Sequence, residues 1–217
     1  RGYRKIPLKA PMQETLAAAT LLAAGWTGDG HFINPMCGSG TVAIEAALIA
    51  LNRGPGLLRH NFGFMHIRGY EKDDYSAIRK KVNSQSKKQI PFKIIVSDID
   101  NGAVAGARQN ARTAGVEHLC EFQRCDFRDT PLPEGKGAVY LNPAYGVRLE
   151  DENSLEKTYA AIGDFFKQQC QGYFGYIFTG NLSLAKKVGL KTKRRLTFYN
   201  GPIEARLLEY EIYGGSR

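Results

Sequence analysis

HFINPMCGSGTVAIEAALIALN (31–52) reads as one strand–turn–helix unit. Residues 31–35 have the short apolar pattern of a strand, and MCGSG (36–40) is a glycine turn. In TVAIEAALIALN (41–52), Val42, Ile44, Ala46, Ala47 and Ile49 are spaced as in a helix with a broad apolar face. The unit recurs downstream. KIIVSDID (93–100) holds a continuous apolar run, Ile94 to Val96, as a strand buried on both faces would. The next helix is expected to start near Asp100 or Asn101, both good caps, and to stop at Gly115. GAVYLNP (137–143) is a third strand, followed by a loop and a helical pattern from about Ser154 to Cys170. YFGYIFTG (173–180) is a fourth. Shorter strands are expected at CEFQRC (120–125), RLTFYN (195–200) and RLLEYEIY (206–213). The last two, joined by the turn NGPIEA, suggest an antiparallel hairpin at one edge.

Strands alternating with helices predict a Rossmann-like α/β domain, its seven-stranded sheet mostly parallel and covered on both faces. Such sheets bind ligands at the carboxyl ends of their strands. GSG (38–40) and NPAYG (142–146) each follow a strand, so both are expected to open into one crevice.

Length and composition are consistent with a single domain over 1–217, with a bulky insertion at 53–92; 43% of the residues are hydrophobic. The longest apolar stretch, Leu16 to Trp26, is too short to span a membrane. RGYRKIPLKAP at the start has no signal-peptide core. The cysteines, at 37, 120, 125 and 170, form no CxxC pair and no cluster with histidine. Reduced thiols in a cytoplasmic protein, and no metal site, are the expectation. Net charge is +9, with 30 Lys and Arg against 21 Asp and Glu. The excess is concentrated in RKKVNSQSKK (79–88) and KKVGLKTKRR (186–195), which suits a polyanion such as nucleic acid and equally a solvated face.

GSGTVA (38–43) matches G-x-G-x-x-A, a weak signal alone. A dinucleotide site also needs an acid roughly 20 residues beyond the loop, where the chain offers only LRHNFG (58–63). S-adenosyl-L-methionine fits better. It has no phosphate to cradle, and it needs close backbone approach, a carboxylate for the ribose diol and a polar contact for the adenine amine. Gly38 and Gly40, with Met36, Cys37 and Thr41 around them, supply the first. Asp98, beside Ile99, supplies the second; Asp126 supplies the third, with Phe127 to cover the ring.

LNPAYG (141–146) suits an exocyclic amine as methyl acceptor. The amine is a poor nucleophile because its lone pair is delocalised. The Asn142 side-chain oxygen and the Pro143 carbonyl can accept from both of its N–H groups, orienting the lone pair and stabilising the charge that grows on nitrogen. Pro143 stiffens the loop, Tyr145 can stack on an extruded base, and Gly146 allows the turn.

LNPAYG resembles the Asn/Asp-Pro-Pro-Tyr motif of methyltransferases that modify exocyclic amines. The chain as a whole resembles the catalytic domain of the THUMP-associated RNA guanine-N2 methyltransferases, the group once described as N6-adenine-specific DNA methylases. The likeness runs through GYRKIPLKAPMQETLAAATLLAAGW (2–26), NPMCGSGTVAIEAALIA (34–50), PGLLRHNFGF (55–64), VSDIDNGAVAGARQNARTAG (96–115), LNPAYGVRL (141–149) and NGPIEARLL (200–208). It implies a class I methyltransferase fold, S-adenosylmethionine as cofactor, and N2-methylguanosine formation in ribosomal RNA of the large subunit. It implies cofactor contacts from Pro11, Glu14 and Thr15, near Lys9. It also implies an RNA-binding THUMP domain upstream; this chain starts at Arg1 without an initiator Met and reads as an excised catalytic domain. Lys186, Lys187, Lys193, Arg194 and Arg195 are the expected RNA contacts. Two positions depart from the pattern. Asn34 stands where the family has an Asp that orients the methionine ammonium, and Ala144 replaces the second proline. Adenine-N6 transfer to DNA, glutamine-N5 transfer to protein, and a non-catalytic RNA-binding domain that kept its pocket are the alternatives.

Overall fold

The structure, a computed structural model, describes residues 2–4, 12–145 and 152–214. Helix α1 (Glu14–Ala23) precedes β1 (His31–Asn34) and α2 (Thr41–Ala50). Two short 3-10 turns (Pro55–Leu58 and Gly63–His66) and α3 (Lys72–Ser84) then lead to β2 (Ile94–Asp98). Next come α4 (Asn101–Ala114), β3 (Cys120–Arg124), β4 (Gly137–Leu141) and α5 (Glu152–Gln169). The chain finishes with β5 (Tyr173–Thr179), α6 (Leu182–Lys187), β6 (Arg194–Asn200) and β7 (Ile203–Glu211).

The seven strands form one sheet in the order β3-β2-β1-β4-β5-β7-β6. The first five are mutually parallel, and β7 runs antiparallel between β5 and β6. The expected parallel sheet with an antiparallel terminal hairpin is therefore present. The connection from β1 leads to β2 on one side while β4 lies on the other, so the order reverses between β1 and β4. A crevice opens at that reversal, beyond the carboxyl ends of the strands.

Side chains alternate between two cores, as a period of two requires. Phe32, Ile94, Val96 and Tyr140 face α1, α2 and α4. Ile33, Ile95, Val139 and Leu141 face α5 and α6. Helix α2 is buried nearly all round: nine of its ten residues are inaccessible, including Glu45, which accepts from Tyr3 Oη at 2.8 Å. Helix α4 starts and stops where its caps say. The Asp100 carboxylate accepts from Gly102 N at 2.7 Å, and Gly115 closes the helix at φ 71°.

Two boundaries differ from the sequence expectation, and helix α1 was not expected. The turn before β7 is Gly201–Pro202 rather than NGPIEA, because Ile203 to Ala205 already pair with Phe198 to Asn200 of β6. Helix α1 carries no cap signal in its sequence, since Gln13 makes no side-chain cap bond. It forms through burial of Ala17, Ala18, Thr20 and Leu21 against α2 and the sheet. Helix α5 begins at Glu152, two residues ahead of Ser154. Among the described residues, no helix is long and apolar enough to cross a membrane, and no group of His, Cys, Asp and Glu could hold a metal.

Candidate active site

β1 and β4 are direct neighbours, with Ile33 opposite Val139. The glycine turn after Asn34 and the Asn142–Tyr145 loop therefore leave the sheet side by side. The cleft there has a volume of about 420 Å³. Met36, Asp98, Ile99, Asp126, Phe127, Pro143 and Ala144 line it, together with Ser154, Leu155 and Thr158 of α5.

The glycine turn is tightly wound. Met36, Gly38 and Gly40 have φ of 54°, 53° and 75°, and Met36 bears the strain a side chain suffers there. Backbone bonds hold the turn to β2: Cys37 N donates to Ser97 O, and Gly38 N donates to Asp98 Oδ2, each at 2.9 Å. Asp98 Oδ1 accepts from Asp100 N at 3.0 Å. The Asp98 carboxylate thus fixes the loop, and each oxygen keeps a lone pair for a further donor.

The two glycines differ in purpose. A Cβ on Gly38 would meet nothing within 4 Å, so the turn has open space above it. A Cβ on Gly40 would lie 2.8 Å from Ala107 Cβ, so Gly40 lets α2 approach α4. Ser39 Oγ and Thr41 Oγ1 are bonded to each other at 2.9 Å, and Asn110 Nδ2 donates to Ser39 O. Cys37 is buried, and burial pushes its thiol far above the ordinary range, with Asp98 adding to the shift. It stays a protonated, inert thiol.

Two amide oxygens stand out. Asn34 is buried, and its Nδ2 donates to Tyr140 O on β4 at 2.8 Å. That bond needs an amide: an Asp carboxylate could not donate to the carbonyl. Asn34 Oδ1 and Asn142 Oδ1 are both buried with no hydrogen-bond partner among the described residues. A buried acceptor left unpaired costs free energy, so two of them beside one cleft mark where a ligand's donors belong.

Asp126 is engaged by Arg128 in a bidentate pair, Nε–Oδ1 at 2.8 Å and Nη2–Oδ2 at 2.9 Å. This holds the Asp126 carboxyl below the usual carboxylate range. The Phe127 ring lies mostly in the core, edge-on to Phe165 at 5.7 Å, and Ile99 is the exposed apolar wall, 66% accessible. Glu14 and Thr15 lie in the first turn of α1, and Glu14 accepts from Gly2 N at 3.1 Å. Pro11 and Gly146 lie outside the described residues.

Two partners had no role assigned from sequence. Asn200 Nδ2 donates to Tyr145 Oη at 2.9 Å, and Gly180 leaves room for the Tyr145 ring, which a Cβ would meet at 3.0 Å. Asn200 opens the NGPIEARLL stretch, which is its signal in the sequence; Gly180 carries none beyond ending a strand.

The expected RNA contacts are not gathered at this cleft. Arg194 pairs in register with Glu209, and Glu209 pairs with Tyr176, so Arg194 lies level with the middle of β5 on the far edge strand, away from the cleft lining. Lys187 is bonded to Glu156 at 2.9 Å and Lys193 to Glu211 at 2.7 Å. Arg194 is paired with the buried Glu209. Arg195 Nε donates to Thr192 Oγ1, and Lys186 is exposed.

The residues fit S-adenosylmethionine: an open space above Gly38, a carboxylate with free lone pairs, and an apolar wall at Ile99. Comparison with known proteins agrees. The RMKL-like methyltransferase domain matches residues 1–209. The ribosomal RNA large subunit methyltransferase K/L of Syntrophotalea carbinolica is 37% identical over 98% of this chain and 31% of its own length. The crystal structure of SMU.472 complexed with SAH superposes with TM-score 0.88 at 30% identity, covering 100% of this chain and 55% of that one. A Listeria monocytogenes str. 4b F2365 structure described as a predicted N6-adenine-specific DNA methylase gives 0.86 at 32%, covering 99% and 54%. The chain thus spans between a third and about half of the length of these relatives. It is built on the class I, S-adenosylmethionine-dependent fold and belongs to the RMKL-like methyltransferase domain family.

Proposed function

We propose that this domain transfers a methyl group to the exocyclic N2 amine of guanine in RNA, ribosomal RNA of the large subunit being the substrate. The observation that carries this reading is the unpartnered, buried Asn142 Oδ1 at the head of a proline-stiffened loop beside the glycine turn. When bound, S-adenosylmethionine supplies an electrophilic methyl on a sulfonium. Asp98 would hold its ribose diol through the lone pairs left free, and Asn34 Oδ1 would accept from its methionine ammonium. Asn142 Oδ1 and the Pro143 carbonyl accept the two N–H groups of the amine and turn its lone pair toward the methyl. Tyr145, held by Asn200 and seated on Gly180, offers a ring face to the extruded base. No general base is required, since the amine's acidity rises as the new bond forms.

The relatives named for large-subunit ribosomal RNA support the RNA reading. The Listeria neighbour supports a second one, adenine-N6 transfer to DNA, because the same loop serves either amine. Mass spectrometry of nucleosides separates the two. Large-subunit ribosomal RNA incubated with the protein and S-adenosylmethionine is expected to yield N2-methylguanosine. N6-methyladenosine in a DNA substrate, with RNA untouched, would overturn the proposal.

A further inference from the structure

Residues 53–92 carry nine Lys and Arg against three Asp and Glu, a net +6 of the chain's +9. They form a unit of their own between α2 and β2. Phe62 and Phe64 stack at 5.3 Å, and Tyr75 of α3 packs against both. Arg79 staples the unit together: its guanidinium donates to Leu57 O at 2.7 Å, to Arg59 O at 3.2 Å and to Tyr75 Oη at 3.2 Å. Tyr75, Arg79 and Val82 form the inward stripe of α3. Lys80, Lys81, Lys87 and Lys88 are all exposed.

Among the described residues, none of these four lysines makes an ion pair, nor do Arg59 and Arg68. Helix electrostatics accounts for part of the pattern, since acids open α3 and Lys81 closes it. It does not account for so large a positive excess, nor for Lys87 and Lys88, which lie beyond the helix. Rings are also on offer: Phe64 is 45% exposed, and the Arg59 guanidinium lies 4.9 Å over Phe62. An anionic membrane is a poorer fit, because the unit's large exposed apolar side chains, Phe64, Ile67 and Ile78, put a single residue on α3 and so make no amphipathic helical stripe.

The unit is anchored at the amino end of the sheet. Lys87 N donates to Leu51 O at 2.7 Å, and Arg53 Nη1 donates to Ala114 O at 3.3 Å. β2 alone separates that end from Asp98, a span of about 17 Å at ~3.3 Å per residue. We propose that the α3 unit is an RNA-docking surface, its four exposed lysines gripping phosphates of a structured RNA at a distance from the nucleotide in the cleft. The proposal rests on RNA being the substrate class.

The test is filter binding to a transcript of large-subunit ribosomal RNA across a salt series. Lys80, Lys81, Lys87 and Lys88 are changed together to Glu, and in a second variant to Gln. Wild type sets the reference affinity and slope. The Glu variant is expected to bind at least tenfold more weakly, with a flatter salt dependence, by about 0.7–0.9 in log–log slope for each phosphate no longer gripped. The Gln variant is expected to show a smaller loss of the same kind, and it keeps the test valid if the Glu variant fails to fold. Calorimetry with S-adenosylmethionine should read the same affinity in all three proteins. Unchanged RNA affinity and slope in both lysine variants overturns the proposal. So does lysine-dependent binding to phosphatidylserine vesicles with RNA affinity unaltered. Lysine-dependent RNA binding without methylation of that RNA would sink the proposed function and leave the docking surface standing.

Discussion

The cleft and the basic runs carry different chemistry. At the carboxyl end of the sheet lie the acceptors Asp98 and the unpartnered oxygens of Asn34 and Asn142, with Arg128 and Lys157 on the cleft lining. Outside that lining the two basic runs part company. Half the cations of the run at 186–195, Lys187, Lys193 and Arg194, are paired with Glu156, Glu211 and Glu209, while Lys186, Lys191 and Arg195 are exposed and make no ion pair among the described residues. The run at 79–88 keeps Lys80, Lys81, Lys87 and Lys88 exposed, with no ion pair among the described residues. Two stretches that are equivalent by composition therefore differ in what they can offer a polyanion. Lysine density measures potential affinity only after the carboxylates around it have been counted.

The contrast can be broken most sharply at the acceptor end. Asn142→Ala is expected to lower methyl transfer by at least ~10²-fold, the scale seen when one preorganised polar contact to a transition state is removed. Cofactor affinity measured by calorimetry should stay near wild type, and an unaltered rate would remove Asn142 from the chemistry. Asp98→Ala should weaken S-adenosylmethionine binding by about 1.5–3 kcal/mol, the worth of hydrogen bonds to a charged group. Because Asp98 also anchors Gly38 N and Asp100 N, the variant should lose thermal stability too; a change in only one readout would separate its two roles.

Smaller effects sharpen the comparison. Gly40→Ala should cost about 1–3 kcal/mol of stability in a denaturant titration, because its methyl group would press on Ala107 and sit at φ 75°. Gly38→Ala, with open space around the new methyl, should cost less stability and act chiefly on cofactor affinity. Arg194→Ala should destabilise by about 1–2 kcal/mol by leaving the buried Glu209 unpaired. Its effect on the salt slope of RNA binding should be the smallest of all. A slope that falls by nearly one unit would show that Arg194 reaches phosphate despite its partner.

Much of the fold was legible because its signals are local. Asp100 and Gly115 delimit α4 by capping, which needs only neighbouring residues. Ile94 to Val96 announce a strand buried on both faces, and they are buried. The start of β7 was hidden because Glu204 is polar and Ala205 small; Ile203 to Ala205 stand in a ladder with β6 that depends on the tight turn at Gly201–Pro202. Helix α1 was hidden for a related reason: it lacks a side-chain cap and is held by its packing.

Sequence by itself determined the order of the seven strands, the helices α2, α4 and α5 between them, and the glycine turn after β1. These follow from dihedral preferences, periodicity and donor–acceptor chemistry that each residue carries with it. Only the tertiary structure decided that Asn34 and Asn142 leave adjacent strand ends, through pairing of strands about a hundred residues apart. It also decided which lysines stay free and that Gly40 serves a helix contact. Strand order, register and charge neutralisation depend on which distant surfaces pack together, and no local stretch of chain encodes them.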